Sequence, residues 1–251
     1  IGQVRAWFYY MHVMGVLLFD KPPMKNVVVT GNILAADGAK MSKSKKNYPD
    51  PQKIFDSYGS DALRFYLMGS PLMRAEDLNF KEEGVKEIYR KVILLLSNVK
   101  SFYHLNNPKD MSLAKPATLH VLDKWVVSLL HLLIRDVTTA YENYDTITAC
   151  SAIQKFIDSL STWYVRRSRD RFKRKDSEAE QTLGYVLHTL SLLMAPNTPF
   201  IAEDVYQSLR KVDSTLSDSV HLAAWPVYDL SLVDEQLVKD MESVRAVVSK
   251  A

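Results

Sequence analysis

The sequence predicts a mainly α protein in which a short mixed α/β opening is followed by helices to the end. Three observations carry this expectation. From about residue 78 onward the long segments repeat their apolar residues at helical spacing, as in "KEEGVKEIYRKVILLLSNVKSFYHL" and "LHVLDKWVVSLLHLLIRDVTTAYENY". The run best suited to a buried strand, "NVVVTG" at residues 26–31, lies near the start. Apolar residues make up 47% of the 251, enough to bury a substantial core.

Taken in order, residues 3–19, "QVRAWFYYMHVMGVLLF", are apolar at helical intervals. The stretch is too short to cross a bilayer and contains His12, so a buried helix is expected. The chain starts at Ile1 and enters this pattern at once, which reads as a piece of something longer. A helix followed by the valine strand is the order found in the last part of a doubly wound sheet, where ligands gather beyond the carboxyl ends of the strands. Asp37-Gly38 marks a tight turn, and it delivers the chain into "KMSKSKKN", residues 40–47. Pro49 and Pro51 then stop any helix running through them, and "DPQKIFDSYG" and "SDALRFYLMGS" read as two short helices with Asp50 and Ser60 as candidate caps. The polar stretch "NNPKDMSLAKPAT" is the best internal boundary. Near the far end, "MAPNTPF" punctuates two helices, Pro196 ending one and Thr198-Pro199 starting the next.

Composition limits the function. Formal charge is only +3, so attraction to nucleic acid must come from a local basic face. "TWYVRRSRDRFKRK" supplies one: Arg166, Arg167, Arg169, Arg171, Lys173, Arg174 and Lys175 alternate with Trp163, Tyr164 and Phe172, and Asp170 alone opposes them. On a helix Arg167 and Arg171 would project together while the aromatic rings pack inward; the same pattern also fits a solvated helix end whose cations complement the helix dipole. Cys150 is the single cysteine, which excludes an internal disulfide and a cysteine-rich zinc site and fits a reducing, intracellular setting. The six histidines are scattered without metal-ligand spacing, so no metal site is expected. Read alone, the lysine loop fits a solvated basic loop or an import tag as well as a phosphate clamp. Its place after a strand at a sheet's ligand edge favours the clamp, because ammonium and hydroxyl groups are what a loop needs to hold a polyphosphate.

The stretch "DGAKMSKSKKNYPDP" resembles the KMSKS loop of the class I aminoacyl-tRNA synthetases, and Lys46-Asn47 with "YPDP" is most similar to the isoleucyl group. The resemblance continues through "SYGSDALRFYLMGSPLMRAEDLNF", "STWYVRRSRDRF" and "LLMAPNTPFIAEDVYQSL". It implies a Rossmann-like C-terminal piece of the catalytic domain at 1–50, connecting helices at 51–112, an α-helical anticodon-binding bundle at 113–228 and a C-terminal helix at 229–251. It implies further that Lys40 and Lys43 neutralise ATP phosphates during amino-acid activation, with Met41, Ser42 and Ser44 completing the nucleotide contact. Magnesium would accompany the nucleotide. The implied RNA contacts are Arg64, Trp163, Arg166, Arg167 and Arg171, although Trp163 also suits the core and Arg64 could face a carboxylate. The partners implied are tRNA(Ile), ATP and isoleucine, for a monomeric cytoplasmic enzyme.

Departures narrow this expectation. No His-x-Gly-His stretch occurs in the chain, and an editing domain has no room in it, so the chain by itself is expected neither to activate isoleucine nor to edit. Where the family reads "DQTRGWFY" the sequence has Gly2, Val4 and Ala6. The alternatives are a valyl or leucyl synthetase piece and a non-catalytic RNA-binding module derived from a synthetase. Retention of both lysines and both serines argues against the last. "RAEDLNF" is shared with the family but has no physical account at this level.

Overall fold

The computed structural model describes residues 4–42, 44, 47–106, 112–117 and 120–249. Helix dominates, as the periodicity predicts. Helix α1 spans Tyr9–Phe19, and α2 spans Pro51–Met68. Asp50 caps α2 by accepting the Gln52 amide at 3.0 Å. Gly59, at φ 77° and ψ 159°, breaks α2 into the two short helices expected there.

Helices α3 (Glu82–Ile88) and α4 (Leu94–Leu105) are joined by a π-turn at Tyr89–Ile93. The bundle continues with α5 (Val121–Glu142), α6 (Thr146–Ser159), α7 (Arg166–Lys173), α8 (Ser177–Met194), α9 (Pro199–Arg210) and α10 (Glu235–Val248). Side chains repeat one face every three to four residues in these helices, and α5 packs on α6 and α8 while α8 packs on α9. The main core runs through Phe65, Leu96, Trp125, Leu130, Ile153, Tyr164, Leu187 and Tyr206, so it draws on α2 and α4 as well as the later helices. α10 joins the same core through Val238, with Leu237 and Met241 packed against it. A smaller cluster of Ile54, Ala62, Phe80 and Val85 lies beside the lysine loop.

Two expectations fail at the start of the chain. "NVVVTG" is not a strand: Val27, Val28 and Val29 are 49%, 48% and 58% exposed. A strand exists only as part of a ladder, and these residues pair with none of the described residues. The strand pair lies one step later, where β1 (Ile33–Leu34) runs parallel to β2 (Leu78–Asn79). Helix α1 does form, but it is not buried. Its apolar residues surround the axis, and Gly15 alone among them is buried.

Candidate functional sites: the lysine loop and the basic helix

The lysine loop is launched from a short hairpin. Gly38 takes φ +81° and its amide reaches the Ala35 carbonyl at 2.9 Å, while Ala35 in turn donates to the Ala39 carbonyl. Leu34 and Lys40 then face each other in an antiparallel bridge. Lys40 is thereby fixed by its backbone with its side chain exposed. Met41 is half-buried and packs on the cluster around Ile54, so the thioether pins the loop to the cluster formed by α2, Phe80 and α3.

Asn47 closes the far side. Its side chain accepts the Ser42 amide at 2.9 Å and donates to the Lys40 carbonyl at 3.2 Å, bridging both ends of the loop. The Ser42 and Ser44 hydroxyls lie 3.2 Å apart. Lys43, together with Lys45 and Lys46, falls outside the described residues. What the structure provides, then, is a stapled frame with one lysine and two hydroxyls presented from it.

The frame is braced from behind by "RAEDLNF". Asp77 accepts both the backbone and the side-chain N–H of Asn32, each at 2.9 Å, and those bonds hold its carboxyl below the usual carboxylate range. The Leu78 amide reaches the Asn32 carbonyl and the Phe80 amide the Leu34 carbonyl, both at 2.9 Å. Gly31 fits under this segment because it lacks a side chain: a Cβ there would sit 1.8 Å from the Glu76 carbonyl oxygen. Gly31, Asn47 and Asp77 thus belong to the loop's support. The resemblance marked the stretches that hold Asn47 and Asp77 without giving either a role, and Gly31 carried no signal of its own.

Arg64 is engaged by the protein itself. Its Nε donates to the Asn197 carbonyl and its Nη2 to the Pro196 carbonyl, each at 3.1 Å. One turn earlier, buried Asp61 accepts the Ile201 amide at 2.6 Å, acting as the cap of α9 from another helix. The "MAPNTPF" corner is therefore the seat of α2 on the bundle. In place of a carboxylate partner Arg64 meets two backbone carbonyls, because a chain leaving α8 has orphan carbonyls to satisfy, and its side chain stays exposed.

The basic helix divides in two. A π-turn at Leu160–Val165 sets the register in which Tyr164 is fully buried and Arg166 and Arg167 are exposed. Arg167 lies over the Trp163 ring, its guanidinium carbon 4.7 Å from the centroid. Trp163 is half-buried and donates its Nε1–H to the Met241 sulfur at 3.2 Å, combining a core role with an exposed one. Arg171 does not project beside Arg167 as expected. It turns inward and makes a two-pronged bond to Asp123, both distances 2.7 Å, and its Nε reaches Asp176 at 2.8 Å.

The reason for that inward turn is charge. Asp123 is 0% exposed and also accepts the Tyr164 hydroxyl at 2.7 Å, so a buried carboxylate requires a buried cation. Burial, then the neighbouring Asp123, pushes the Tyr164 phenol well above its ordinary value. The Arg171 bond holds Asp176 below the usual carboxylate range. Exposed Arg166, Arg167, Arg169, Lys173, Arg174 and Lys175 remain as the basic face. Cys150, buried beneath Asn197, has its thiol pushed up to about 12 by desolvation.

Two families match the sequence. "tRNA synthetases class I (I, L, M and V)" covers residues 1–79, which include the lysine loop and its brace. "Anticodon-binding domain of tRNA ligase" covers residues 123–251, more than half of the chain and all of the basic helix. The chain belongs to the anticodon-binding family of tRNA ligases.

Relatives of this anticodon-binding family chain match it end to end. The isoleucine–tRNA ligase of Protochlamydia amoebophila is 42% identical over 99% of the chain, and that of Mycobacterium tuberculosis 43% over 100%. The cytoplasmic isoleucine–tRNA ligase of Caenorhabditis elegans is 40% identical over 99%. The chain spans about a quarter of the length of these relatives. In fold it is similar to the LeuRS chain of a ternary LeuRS–tRNA–LeuAMS complex from Agrobacterium radiobacter, with a TM-score of 0.66 at 21% identity over 90% of this chain and 27% of that one. Among the described residues no helix is long and apolar enough to cross a membrane.

Proposed function

We propose that this chain supplies the nucleotide-closing loop and the tRNA-binding bundle of an isoleucine–tRNA ligase. The observation that carries the reading is the end-to-end match, at 40–43% identity, to bacterial and animal ligases of that name. In this reading residues 1–50 are the last piece of a Rossmann-like nucleotide-binding domain, 51–112 connect it, and 113–228 form the anticodon-binding bundle with α10 docked upon it. The enzyme is cytoplasmic and monomeric.

The reaction joins the isoleucine carboxylate to the α-phosphorus of ATP and expels pyrophosphate; the isoleucyl group then passes from the adenylate to tRNA(Ile), and AMP leaves. Negative charge grows on the phosphate oxygens as the new bond forms. Lys40, held by the Leu34 bridge and the Asn47 staple, neutralises it together with Lys43, and Ser42 and Ser44 make supporting contacts. Met41 completes the nucleotide contact and anchors the loop by packing. Among the described residues no three His, Cys, Asp or Glu side chains converge as metal ligands, and magnesium enters this scheme as a companion of the ATP phosphates.

On the RNA side, Arg166 and Arg167 contact phosphates, and Trp163 supports Arg167 by stacking. Arg171, turned in to Asp123, supports the frame that presents this face, and Arg64, exposed at the corner after α8, is a further RNA contact in this reading. Binding of the chain to tRNAs accepting isoleucine, valine and leucine, at several salt concentrations, tests the proposal. Preference for tRNA(Ile) is the expected result, and indifference among the three would remove the isoleucine assignment from this bundle.

A further inference from the structure

Helix α10 is held on the bundle by little of its own surface. Val238 is its one buried residue, with Leu237 and Met241 partly covered. The chain leading into it supplies more. Residues 229–234 form a strap across α5: Asp229 caps a tight turn at Leu230–Leu232 by accepting the Ser231 amide at 2.9 Å, and Asp234 then caps α10 by accepting the Leu237 amide at 2.9 Å. Neither the lysine loop nor the phosphate contacts of the basic face use this strap.

Two buried side chains of α5, Ser128 and His131, lie on one face of the helix and hold the strap. The Ser128 hydroxyl donates to the Leu232 carbonyl at 3.0 Å and accepts the Asp234 amide at 3.1 Å, a pair of bonds indifferent to pH. His131 is different. Its Nδ1 accepts the Asp229 amide at 3.1 Å, while its Nε2 lies 2.9 Å from the Tyr185 hydroxyl on α8. A ring nitrogen that accepts carries no proton, so the imidazole is neutral with its hydrogen on Nε2. A second proton can go only to Nδ1, where it meets the Asp229 N–H, donor against donor. The charged groups acting on the ring are Asp229, which favours the imidazolium, and Lys115, which opposes it; Tyr185 is the titratable side chain facing it from α8. Asp229 is not free to take the new hydrogen, because its carboxylate already accepts the Lys115 ammonium at 2.7 Å and the amide and hydroxyl of Ser231. Burial outweighs the attraction of Asp229 and keeps the imidazole below its ordinary range.

We propose that His131 is a proton-operated clasp for α10: with Nδ1 bare it holds the strap, and with Nδ1 protonated it releases the Asp229 amide, so that the strap and α10 lift from α5. Release reaches the basic helix, because Met241 of α10 accepts the Nε1–H of Trp163, the ring beneath Arg167. The clasp goes beyond the RNA-binding reading and stands independently of it. Once the strap lifts, the imidazole meets water and titrates near pH 6.5, so acid below that value draws the equilibrium towards the opened form.

The test is hydrogen exchange of the 251-residue chain at about pH 7.5 and 5.5, read as protection factors for the amides of Asp229, Asp234 and Val238, with Leu190 in the core of α8 as the reference. In wild type, protection at the first three is expected to fall roughly threefold to tenfold at the lower pH, and at Leu190 by clearly less. His131→Asn keeps an acceptor near the position of Nδ1 that does not titrate, and it is expected to remove this difference between strap and core. The nitrogen chemical shifts of the wild-type imidazole supply a reading that needs no variant, and they are expected to show Nδ1 bare at the higher pH. A hydrogen on Nδ1 there, a fall at Leu190 as large as that at the strap, or an undiminished strap response in His131→Asn would each overturn the clasp.

Discussion

At the residue scale, the two arginines on α7 that look alike in sequence have opposite duties. Arg171 neutralises a carboxylate with no exposure, so Arg171→Ala leaves Asp123 charged and alone. Breaking one side of such a pair costs about 3–5 kcal/mol, which thermal or urea unfolding would register directly. Arg167→Ala removes an exposed cation and is expected to change stability by no more than about 0.5 kcal/mol, while weakening tRNA binding. A stability loss at Arg167 equal to that at Arg171 would contradict this division. The basic character of the helix was legible from its composition, but which arginine faces inward was not. That is decided by Asp123, 48 positions away, and a buried carboxylate has no local signature in a chain.

At the element scale, the loop frame makes its own prediction. Gly31→Ala puts a methyl group against the Glu76 carbonyl, and the brace has to move before it fits. Overpacking of this kind costs about 1–3 kcal/mol, and loosening should appear first as faster hydrogen exchange at Leu78 and Phe80, whose amides make the β1–β2 bonds. Unchanged exchange there would mean that the brace is not what holds the loop. Periodicity and turn chemistry made the long helices, the Asp37-Gly38 turn and the Gly59 break readable. They misplaced the strand. Three consecutive valines state that a segment is suited to a sheet, whereas Ile33–Leu34 pairs because Asp77 and Gly31 align its partner, and pairing over 45 residues has no period to detect.

For the whole molecule, acid should act through buried imidazoles. Burial lowers the pKa of His104, of His131 and of His188, so each stays neutral in the fold while the unfolded chain begins to bind protons near pH 6.5. The unfolded state then holds more protons, and stability declines as pH drops below about 6.5 towards the lower folded values. Asp176, depressed by Arg171, stabilises the fold above the ordinary carboxylate range, and that contribution disappears only as pH falls through its lower folded value. Urea midpoints between pH 7.5 and 4.5 should therefore fall before the carboxylates titrate, and a flat profile down to pH 5 would contradict the neutral-histidine account. The predominance of helix after the loop-bearing opening was readable from the sequence. The seating of one on the other was not, because Asp61 and Arg64 reach across more than 130 positions to the corner after α8.

The central claim is that a basic face centred on Arg166 and Arg167, presented by an internal frame, receives tRNA. The salt dependence of tRNA(Ile) binding tests it most directly, measured for wild type, for Arg166→Ala with Arg167→Ala, and for Lys91→Ala on the separate turn between α3 and α4. Each lost phosphate contact should reduce the slope of log affinity against log salt by about one, so the double variant is expected to flatten it by about two and Lys91→Ala to leave it unchanged. A double variant with the wild-type slope would contradict the account.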